Sequence, residues 1–421
     1  MKRRVLIGLG VLGTTLLLAW GGASVDRCGP WISRPVALTH LAHGQGALQV
    51  GAAKVELQVQ FPTTVGGYGP LRSTVERSSS PLFARALVID VGGQRLALVL
   101  LDVLLVPPQL RDAIGKDQPL PTWVLATHTH SGPSGFDPRL ASELAALGSY
   151  SPRDFDGVAA AGRDALRLAL AAVKPARLEV GEALTEGVSV PRSGAEVDRR
   201  LSRLRFDGPA GPVAQVLIIS AHPTLVPKRP EGLHPDWPGL LAQRFEREGG
   251  PVTLVLQGAG GNASVDRKRL PTPEAAAERL ETLARGVSTV VQPDGLDGAW
   301  TEVHVSLPRP DARRVVPAPL AAAAENALCD DAEDFVVVHG LKLGDARLVL
   351  VPFEPSFAAG RVLEEQADAT RVVGLADGYA GYVETVEAAR AGEGEARRQY
   401  FPPELLTRLA EGAKLAGQAL K

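Results

Sequence analysis

The chain has 421 residues, of which 45% are hydrophobic and 22% are charged, a composition that excludes intrinsic disorder. Its 45 Lys and Arg residues nearly balance its 47 Asp and Glu residues, with a formal net charge of -2. Because no basic stripe with interleaved aromatic residues is present, nucleic acid is excluded as an expected partner.

The first residues have the three-part pattern of an export signal. A basic start, "MKRR", precedes an apolar run from Val5 to Trp20, and small residues follow at 21–23. The run is near the lower length limit of a membrane-spanning helix. Residues 1–25 are therefore expected to be a signal peptide or a retained signal anchor, and the protein is expected to be exported, as a periplasmic, secreted or anchored protein.

The chain contains two cysteines, Cys28 and Cys329. Two cysteines are too few for a disulfide scaffold or a four-cysteine zinc site. An oxidising compartment would allow them to pair, but the sequence leaves open whether they meet.

Residues 47–106 are predicted to be mostly strand, in the segments "LQVGAAKVELQV", "FARALVIDVGG" and "RLALVLLDVLLV". The stretch "DVGGQ" at Asp90–Gln94 predicts a hairpin between the second and third segments. The third segment is almost continuously apolar, which is typical of a central strand covered on both faces.

Helices and strands are predicted to alternate after this region. Ser151 is expected to cap the first helix, with Pro152 at the first helical position. Further helices are predicted at 238–248, 272–291 and 357–368 and from Pro403, and strands at 176–184, 200–207, 212–224, 252–261, 300–308, 346–356 and 370–385. This alternation predicts an α/β fold, a layered mixed sheet with flanking helices. Because no internal repeat or long linker is evident, residues 45–421 are expected to form a single large catalytic domain.

Polar residues follow several of the predicted apolar strands. His128 and His130 follow "VLA", His222 follows "VLIISA", and Glu354 follows "VLVPF". Ligands of open α/β sheets bind outside the carboxyl ends of the strands, so these residues are expected to converge. Histidine nitrogens with a carboxylate suit a catalytic zinc ion that keeps an open position.

The pair His128 and His130 has several interpretations. On a strand both rings would point to one side, so that one binds metal and the other contacts the ligands or the substrate. Capping of the following Gly-Pro turn, or satisfied burial, is the structural alternative. A metallo-β-lactamase-like site would need Asp and His next, where the chain has Ser131, Gly132 and Pro133. An amidohydrolase barrel would place the pair near the first strand and supply eight strand and helix units.

Short motifs occur in a specific order from about Gly51 to Tyr400: "GAAKVELQ", "GGYG", "PLFARALVID", "LVLLDVLLVP", "ATHTHSGPSGF", "SAHPT", "LQGAGGNAS" and "GYAGYVET". The most specific of them is "THTHSGP". Together they resemble the amino-terminal catalytic domain of the neutral/alkaline non-lysosomal ceramidases.

The resemblance implies one zinc ion held by two histidines, a glutamate and a tyrosine. Carried over by motif, these ligands are His128, His222, Glu354 and Tyr382, with Tyr379 as a competitor for the tyrosine. His130 would then lie beside the ligands or act in catalysis. Arg192, in "VPRSG", would bind or polarise the substrate amide.

The chain departs from the ceramidase pattern in one site loop and in its length. The family motif "GDVSPN" is "GNASVD" here, so Ser264 keeps its place as nucleophile or substrate-positioning group, while Asn262 and Val265 replace Asp and Pro. A loop serine bonded to its own backbone is the alternative for Ser264. The chain stops at Lys421, whereas the large ceramidases continue into a β-sandwich, so the acyl-chain specificity is not carried over.

Two more polar residues have open roles. Asp102, at the end of a predicted buried strand, either orients a ligand histidine or closes its own turn. His234, in "LHPDWPG", either adds a contact to the site or is a loop residue.

Three functions are compatible with these observations. The first is an exported zinc amidase that hydrolyses the N-acyl bond of ceramide or a related lipid amide, with His130 as general acid and base and Arg192 or Tyr382 near the oxyanion. Such a lipid substrate would bring the protein into contact with a membrane surface. The second is a zinc hydrolase of another N-acyl amine or ester in the bacterial envelope. The third is a non-catalytic envelope binding protein, and the sequence predicts no oligomeric state.

Overall fold

The computed structural model describes Cys28 and residues 33–69, 73–194, 196–331 and 335–421. The predicted export signal, residues 1–25, lies outside these residues. Within them, no helix has the length and apolar character needed to cross a membrane. The described chain has the predicted mixed α/β fold, with helices packed on three five-stranded sheets.

The elements alternate along the chain as follows. The strands are β1 (Ala37–Gly46), β2 (Leu48–Glu56), β3 (Thr63–Thr64), β4 (Thr74–Val75), β5 (Phe83–Val91), β6 (Gln94–Leu101), β7 (Thr122–Ala126), β8 (Lys174–Pro175), β9 (Arg177–Leu184), β10 (Ser189–Pro191), β11 (Arg200–Gly208), β12 (Gly211–Ile219), β13 (Val252–Gln257), β14 (Ala263–Val265), β15 (Thr289–Val291), β16 (Leu296–Ser306), β17 (Phe335–Leu343), β18 (Ala346–Leu350), β19 (Glu354–Pro355), β20 (Arg371–Val373) and β21 (Tyr382–Val383). The helices are α1 (Pro108–Gly115), α2 (Leu140–Ser142), α3 (Pro152–Ala171), α4 (Asp236–Phe245), α5 (Pro273–Arg285), α6 (Ala318–Asp331), α7 (Phe357–Ala367), α8 (Val386–Ala391) and α9 (Leu405–Ala419).

The three large sheets repeat one topology. In each sheet, three antiparallel strands are followed by a helix and then by a fourth strand that pairs in parallel with the third. The units are β2-β5-β6-α1-β7, β9-β11-β12-α4-β13 and β16-β17-β18-α7-β20. No repeat is evident in the sequence, because each unit requires the same order of apolar strands but not the same residues.

The three sheets share one apolar core. Their inner faces contribute to a single buried cluster that includes Leu98 of the first sheet, Phe206 of the second and Trp300 of the third. The outer faces pack separately, the first sheet against α1 and α3, the second against α4 and α5, and the third against α7 and α9. Because both faces are covered, β6 has the almost continuous apolar sequence that predicted a central strand.

Several local predictions are confirmed. Gly92 and Gly93, with φ of 57° and 87°, form the turn of the hairpin between β5 and β6. Ser151 caps α3, and its side-chain oxygen accepts a hydrogen bond from the backbone N–H of Asp154. Both motifs depend on residues close together in sequence, which is why the sequence is sufficient to identify them.

Other local predictions are wrong. Residues 289–291, expected as the end of a helix, form β15, because α5 ends at Arg285 before Gly286. The segment 370–385, expected as one strand, contains only β20 and β21 with irregular backbone between them. The strands β1 and β17 and the helix α6 were not predicted.

Cys28 and Cys329 form a disulfide, with their Cα atoms 5.2 Å apart. The bond joins residues that are separated by 301 positions in sequence and ties Cys28 to α6. The question that the sequence left open is therefore answered by the tertiary structure.

Asp102 takes part in a buried ion network, and no histidine among the described residues bonds to its carboxylate. Its Oδ2 accepts hydrogen bonds from Nη1 of Arg85 and from the backbone N–H of Phe83, each at 2.9 Å. Nε of Arg85 also donates to Oε1 of Glu246 at 2.8 Å. Burial alone would raise the pKa of Glu246, but attraction by Arg85 and a hydrogen bond from Lys54 hold it below its usual value. The network links the first sheet to the end of α4.

We expect Arg85→Met to lower the free energy of unfolding by about 3–5 kcal/mol, because it leaves the buried Asp102 without a counter-charge and Glu246 with Lys54 alone. The deficit should shrink as the pH falls, since protonation of Asp102 and Glu246 removes those charges. Urea denaturation at several pH values measures both effects. Arg167→Met, which removes an exposed ion pair with Asp164 on α3, is the control and should cost less than about 1 kcal/mol. Equal losses in the two variants would contradict the prediction.

Candidate metal centre

The loops that follow the parallel strands of the three sheets meet at one end of the shared core. His128 and His130 follow β7, and His222 follows β12. Glu354 begins β19 after the end of β18, and Tyr382 begins β21 after β20. The structure thus brings together the residues that were expected to converge from the carboxyl ends of separate strands.

The side chains of four residues make direct contact in this cluster. Nε2 of His128 and Nε2 of His222 lie 3.1 and 2.8 Å from Oε2 of Glu354. The hydroxyl oxygen of Tyr382 lies 3.1 Å from Nε2 of His222. All four residues are buried, with exposed fractions between 2% for His222 and 9% for Tyr382. They are the four residues that the ceramidase resemblance implies as metal ligands.

His130 lies at the open side of the same cluster. Its Nε2 is 3.4 Å from Nε2 of His128, and it is half-buried, unlike the other two histidines. Possible ligand atoms of His128, His130 and His222 all lie within 4.8 Å of one another. This position fits a third nitrogen ligand, and it equally fits a base between the metal and the substrate.

The backbone fixes which ring nitrogen carries the proton in each histidine. The Nδ1 atoms of His128, His222 and His130 lie 2.8, 2.9 and 3.0 Å from the carbonyl oxygens of Leu104, Gly260 and Gly67, respectively. A carbonyl only accepts, so each Nδ1 must donate. Burial lowers the pKa of His222 and His130, which favours the neutral ring with a lone pair at Nε2.

The donor set fits a cation. Among the residues that the structure describes, the buried Oε2 of Glu354 has no hydrogen-bond donor, although two imidazole nitrogens contact it. A buried carboxylate oxygen that faces lone pairs is costly, and a positive ion between these atoms would remove that cost. Imidazole nitrogens with a carboxylate and a phenol oxygen are a borderline-to-hard ligand set.

His128 does not lie on a strand, contrary to the geometry assumed for the His-x-His pair. β7 ends at Ala126, and His128 has a φ of 68°, in the left-handed region that few residues other than glycine adopt. Its backbone N–H donates to the carbonyl of Val103 at 3.0 Å. The two rings therefore converge through a strained turn, a conformation that is concentrated at functional sites.

His234 supports the histidine loop without entering the cluster. Its carbonyl accepts a hydrogen bond from Oγ1 of Thr129 at 2.8 Å, and its backbone N–H donates to the carbonyl of Ser131 at 2.8 Å. Its ring Nδ1 accepts from the backbone N–H of Asp236. The loop role is therefore the one that the structure supports.

The two competing tyrosines have different partners. Nη2 of Arg192 donates to the hydroxyl of Tyr382 at 3.0 Å. The hydroxyl of Tyr379 instead donates to Oε1 of Glu354 at 2.7 Å, on the far side of the carboxylate from the histidines. Tyr382 is thus the tyrosine that faces His222, and Tyr379 orients the carboxylate.

Ser264 lies beside the cluster in β14. Its backbone pairs with Val190 of β10 and forms a parallel bridge with His222. Among the side-chain contacts of the described residues, no hydrogen bond links its hydroxyl to the clustered histidines or to Glu354. The structure therefore places Ser264 near the site without assigning a role to its hydroxyl.

Gly67 and Tyr68 belong to the site but were given no role in the sequence analysis. Gly67 has a φ of 116°, and a Cβ at this position would lie 2.8 Å from Nδ1 of His130. The ring of Tyr68 lies 5.1 Å from that of His130, and burial raises the pKa of Tyr68 to about 12. The signal for both residues was the motif "GGYG", whose glycines permit this close approach.

A divalent metal ion should stabilise the chelator-treated protein, because it relieves the repulsion among the buried lone pairs. We expect added Zn²⁺ or Co²⁺ to raise the midpoint of thermal unfolding by several degrees, as binding to the native state alone does. Glu354→Ala should abolish most of this shift, whereas Glu411→Ala, which removes an exposed carboxylate paired with Arg408, should preserve it. An equal shift in both variants would place the metal elsewhere.

No protein-family model matches the chain, and no curated protein sequence matches it. Solved structures, by contrast, match this chain. The neutral ceramidase from Pseudomonas aeruginosa is 18% identical, with a TM-score of 0.74, over 89% of this chain and 75% of that one. A ceramidase complexed with C2 gives the same identity and coverage with a TM-score of 0.75. At this identity the likeness shows a shared fold, and the chain has the neutral ceramidase fold that its ordered motifs indicated.

Proposed function

We propose that the protein is an exported zinc-dependent amidase that hydrolyses the N-acyl bond of ceramide or a related lipid amide. The observation that carries this proposal is the buried cluster of two imidazoles, a carboxylate and a phenol beside a third, half-buried imidazole. The ceramidase fold of the chain supports the choice of substrate class.

Zinc is the metal that this donor set suits, since it takes histidine nitrogen and carboxylate oxygen and can expand from four to five ligands in catalytic sites. His128, His222, Glu354 and Tyr382 would hold it. When bound, zinc acts as a Lewis acid that polarises an amide carbonyl and makes a water molecule more acidic.

His130 is the proposed general base and acid. The bond from its Nδ1 to the carbonyl of Gly67 orients the ring and leaves the lone pair of Nε2 free to take a proton. The imidazole removes this proton from the attacking water and returns it to the nitrogen of the leaving amine. Its half-buried position gives it access to both water and substrate.

Arg192 or Tyr382 is proposed to bind the oxygen on which negative charge develops. The guanidinium already donates to the Tyr382 hydroxyl at 3.0 Å, so the two groups form one polar surface beside the cluster. Fixed donors of this kind stabilise a transition state because they need no reorganisation during the reaction. Ser264 would position the substrate or act as nucleophile, as the resemblance implies.

Export is proposed from the amino-terminal segment and the disulfide. Disulfides persist in oxidising compartments and are rare in the cytosol, and Cys28 and Cys329 are joined. On this proposal residues 1–25 direct export and residues 45–421 form one hydrolase domain. Contact with a membrane surface stays a prediction that follows from the lipid substrate.

Protein purified without added metal should contain about one zinc per chain, and it should release fatty acid from ceramide. In the double variant His128→Ala, His222→Ala both the zinc and the activity should be lost, because two of the four ligands are removed. Elemental analysis and product chromatography measure the two quantities. Hydrolysis of short N-acyl amines or esters but not of ceramide would support the second function, and zinc-free, inactive protein would favour the binding protein.

The roles of His130 and Ser264 can be separated by substitution in the zinc-loaded protein. His130→Asn should lower kcat by roughly 100-fold or more, with zinc retained, because it removes the base but keeps a polar side chain of similar size. Ser264→Ala should reduce kcat much less if water is the nucleophile. A larger loss for Ser264→Ala than for His130→Asn, with formation of a covalent acyl-enzyme in the wild-type protein, would make the serine the nucleophile.

A further inference from the structure

We propose that Asn262 and Glu395 are positioning residues that together hold Arg192 against Tyr382. Asn262 holds the backbone of the loop that carries Arg192. Glu395 holds the guanidinium group of Arg192 by charge attraction. The consequence for catalysis rests on the proposed function, in which Arg192 contacts the substrate.

Arg192 must be held in place to act. It follows β10, at the start of an irregular loop, and its side chain is 23% exposed. Nη2 donates to the carbonyl of Gly261 at 2.5 Å and to the hydroxyl of Tyr382 at 3.0 Å. A free arginine side chain has about 2 kcal/mol of rotamer entropy, so these two bonds need support from the surrounding chain.

Asn262 supplies that support on the backbone side. Its Nδ2 donates to the carbonyls of Ser193 at 3.2 Å and Glu196 at 2.7 Å. Its Oδ1 accepts from the backbone N–H of Phe357 at 2.9 Å, and its own carbonyl accepts from the backbone N–H of Arg192 at 2.9 Å. One buried amide therefore joins the arginine loop to the start of α7.

This pattern of bonds requires an amide. An ionised aspartate has no hydrogen to donate, so its second oxygen would face two carbonyl oxygens without compensation. The ceramidase motif has Asp where this chain has Asn262. The loop that Asn262 holds therefore fits the amide at this position of "GNASVD".

Glu395 acts on the side chain. It is buried, and its Oε1 lies 3.3 Å from Nε of Arg192 in an ion pair that lacks hydrogen-bond geometry. The hydroxyl of Ser193 donates to the same oxygen, and Nη1 of Arg398 pairs with the other oxygen. The carboxylate therefore holds the arginine by charge, while its directed hydrogen bonds come from two neighbours.

The carboxylate is itself anchored to the strands of the candidate metal centre. The backbone N–H of Glu395 donates to Oε1 of Glu384 at 2.7 Å, and Oε2 of Glu384 accepts from the hydroxyl of Ser356 at 2.7 Å. Glu384 follows β21, which begins with Tyr382, and Ser356 follows β19, which begins with Glu354. Arg192 is therefore held by the same framework as the proposed ligands.

The test uses two variants that preserve the shape of the side chain. Asn262→Asp removes the two N–H donors, and Glu395→Gln removes the negative charge. In the zinc-loaded enzyme each variant should lower kcat for ceramide roughly ten- to hundredfold, with zinc content unchanged and KM changed less than threefold. Glu404→Gln, which alters an exposed carboxylate paired with Arg390, is the control and should behave as wild type. Glu395→Asp, which keeps the charge, should recover part of the loss.

A double-mutant cycle shows whether the two residues act through the arginine. In an Arg192→Ala background, Asn262→Asp and Glu395→Gln should cause little further loss, because their target is gone. Full additive losses in that background would overturn the proposal, since they would indicate a general structural role.

A readout that does not depend on activity keeps the proposal testable if ceramide is not a substrate. Hydrogen–deuterium exchange of the peptide spanning 192–196 should become faster in Asn262→Asp, because the loop loses its two side-chain bonds, and should stay unchanged in Glu404→Gln. Unchanged exchange in Asn262→Asp would overturn the proposal that Asn262 holds this loop. If the wild-type protein is inactive and exchange is still faster in this variant, the proposed function is rejected, but the positioning role of Asn262 is supported.

Discussion

Three five-stranded sheets bury one face each in a single apolar core, and the position of every site residue depends on that burial. Each sheet ends in a pair of parallel strands, and their carboxyl ends lie at the same end of the core. The first unit contributes His128 and His130, the second His222, and the third Glu354 and Tyr382, so no single unit carries the cluster. The site exists only when all three sheets have packed together.

The backbone then decides the chemistry of the cluster. Carbonyl oxygens of Leu104, Gly260 and Gly67 face Nδ1 of the three rings, so the Nε2 lone pairs are directed inward. Buried lone pairs beside a carboxylate repel one another, and this makes the arrangement costly without a cation. This repulsion lowers the stability of the protein but preforms a binding position for a cation. The strained turn at His128 lowers the stability further.

Residues around the cluster limit the freedom of the groups that contact substrate in the proposed reaction. Tyr379 orients the carboxylate of Glu354, and Gly67 leaves room for His130. Asn262 shows how a departure from a family motif can fit its surroundings, since the altered side chain makes hydrogen bonds that an aspartate could not.

The sequence by itself was sufficient for features that depend on neighbouring residues or on regular apolar patterns. These are the α/β class, the hairpin before β6, the Ser151 cap and the polar residues at strand ends, all of which follow from short-range geometry and burial. The ordered motifs also indicated the fold and the residues that the structure brings together, although the metal and the role of each residue stay predictions.

Only the tertiary structure decided which distant groups meet. Cys28 is bonded to Cys329, and Tyr382 rather than Tyr379 lies beside His222. Asp102 pairs with Arg85 and not with a histidine of the described chain. The tertiary structure also showed three copies of one topology where the sequence shows no repeat. These outcomes depend on the packing of sheets that are far apart in the chain, and no local pattern of residues specifies such packing.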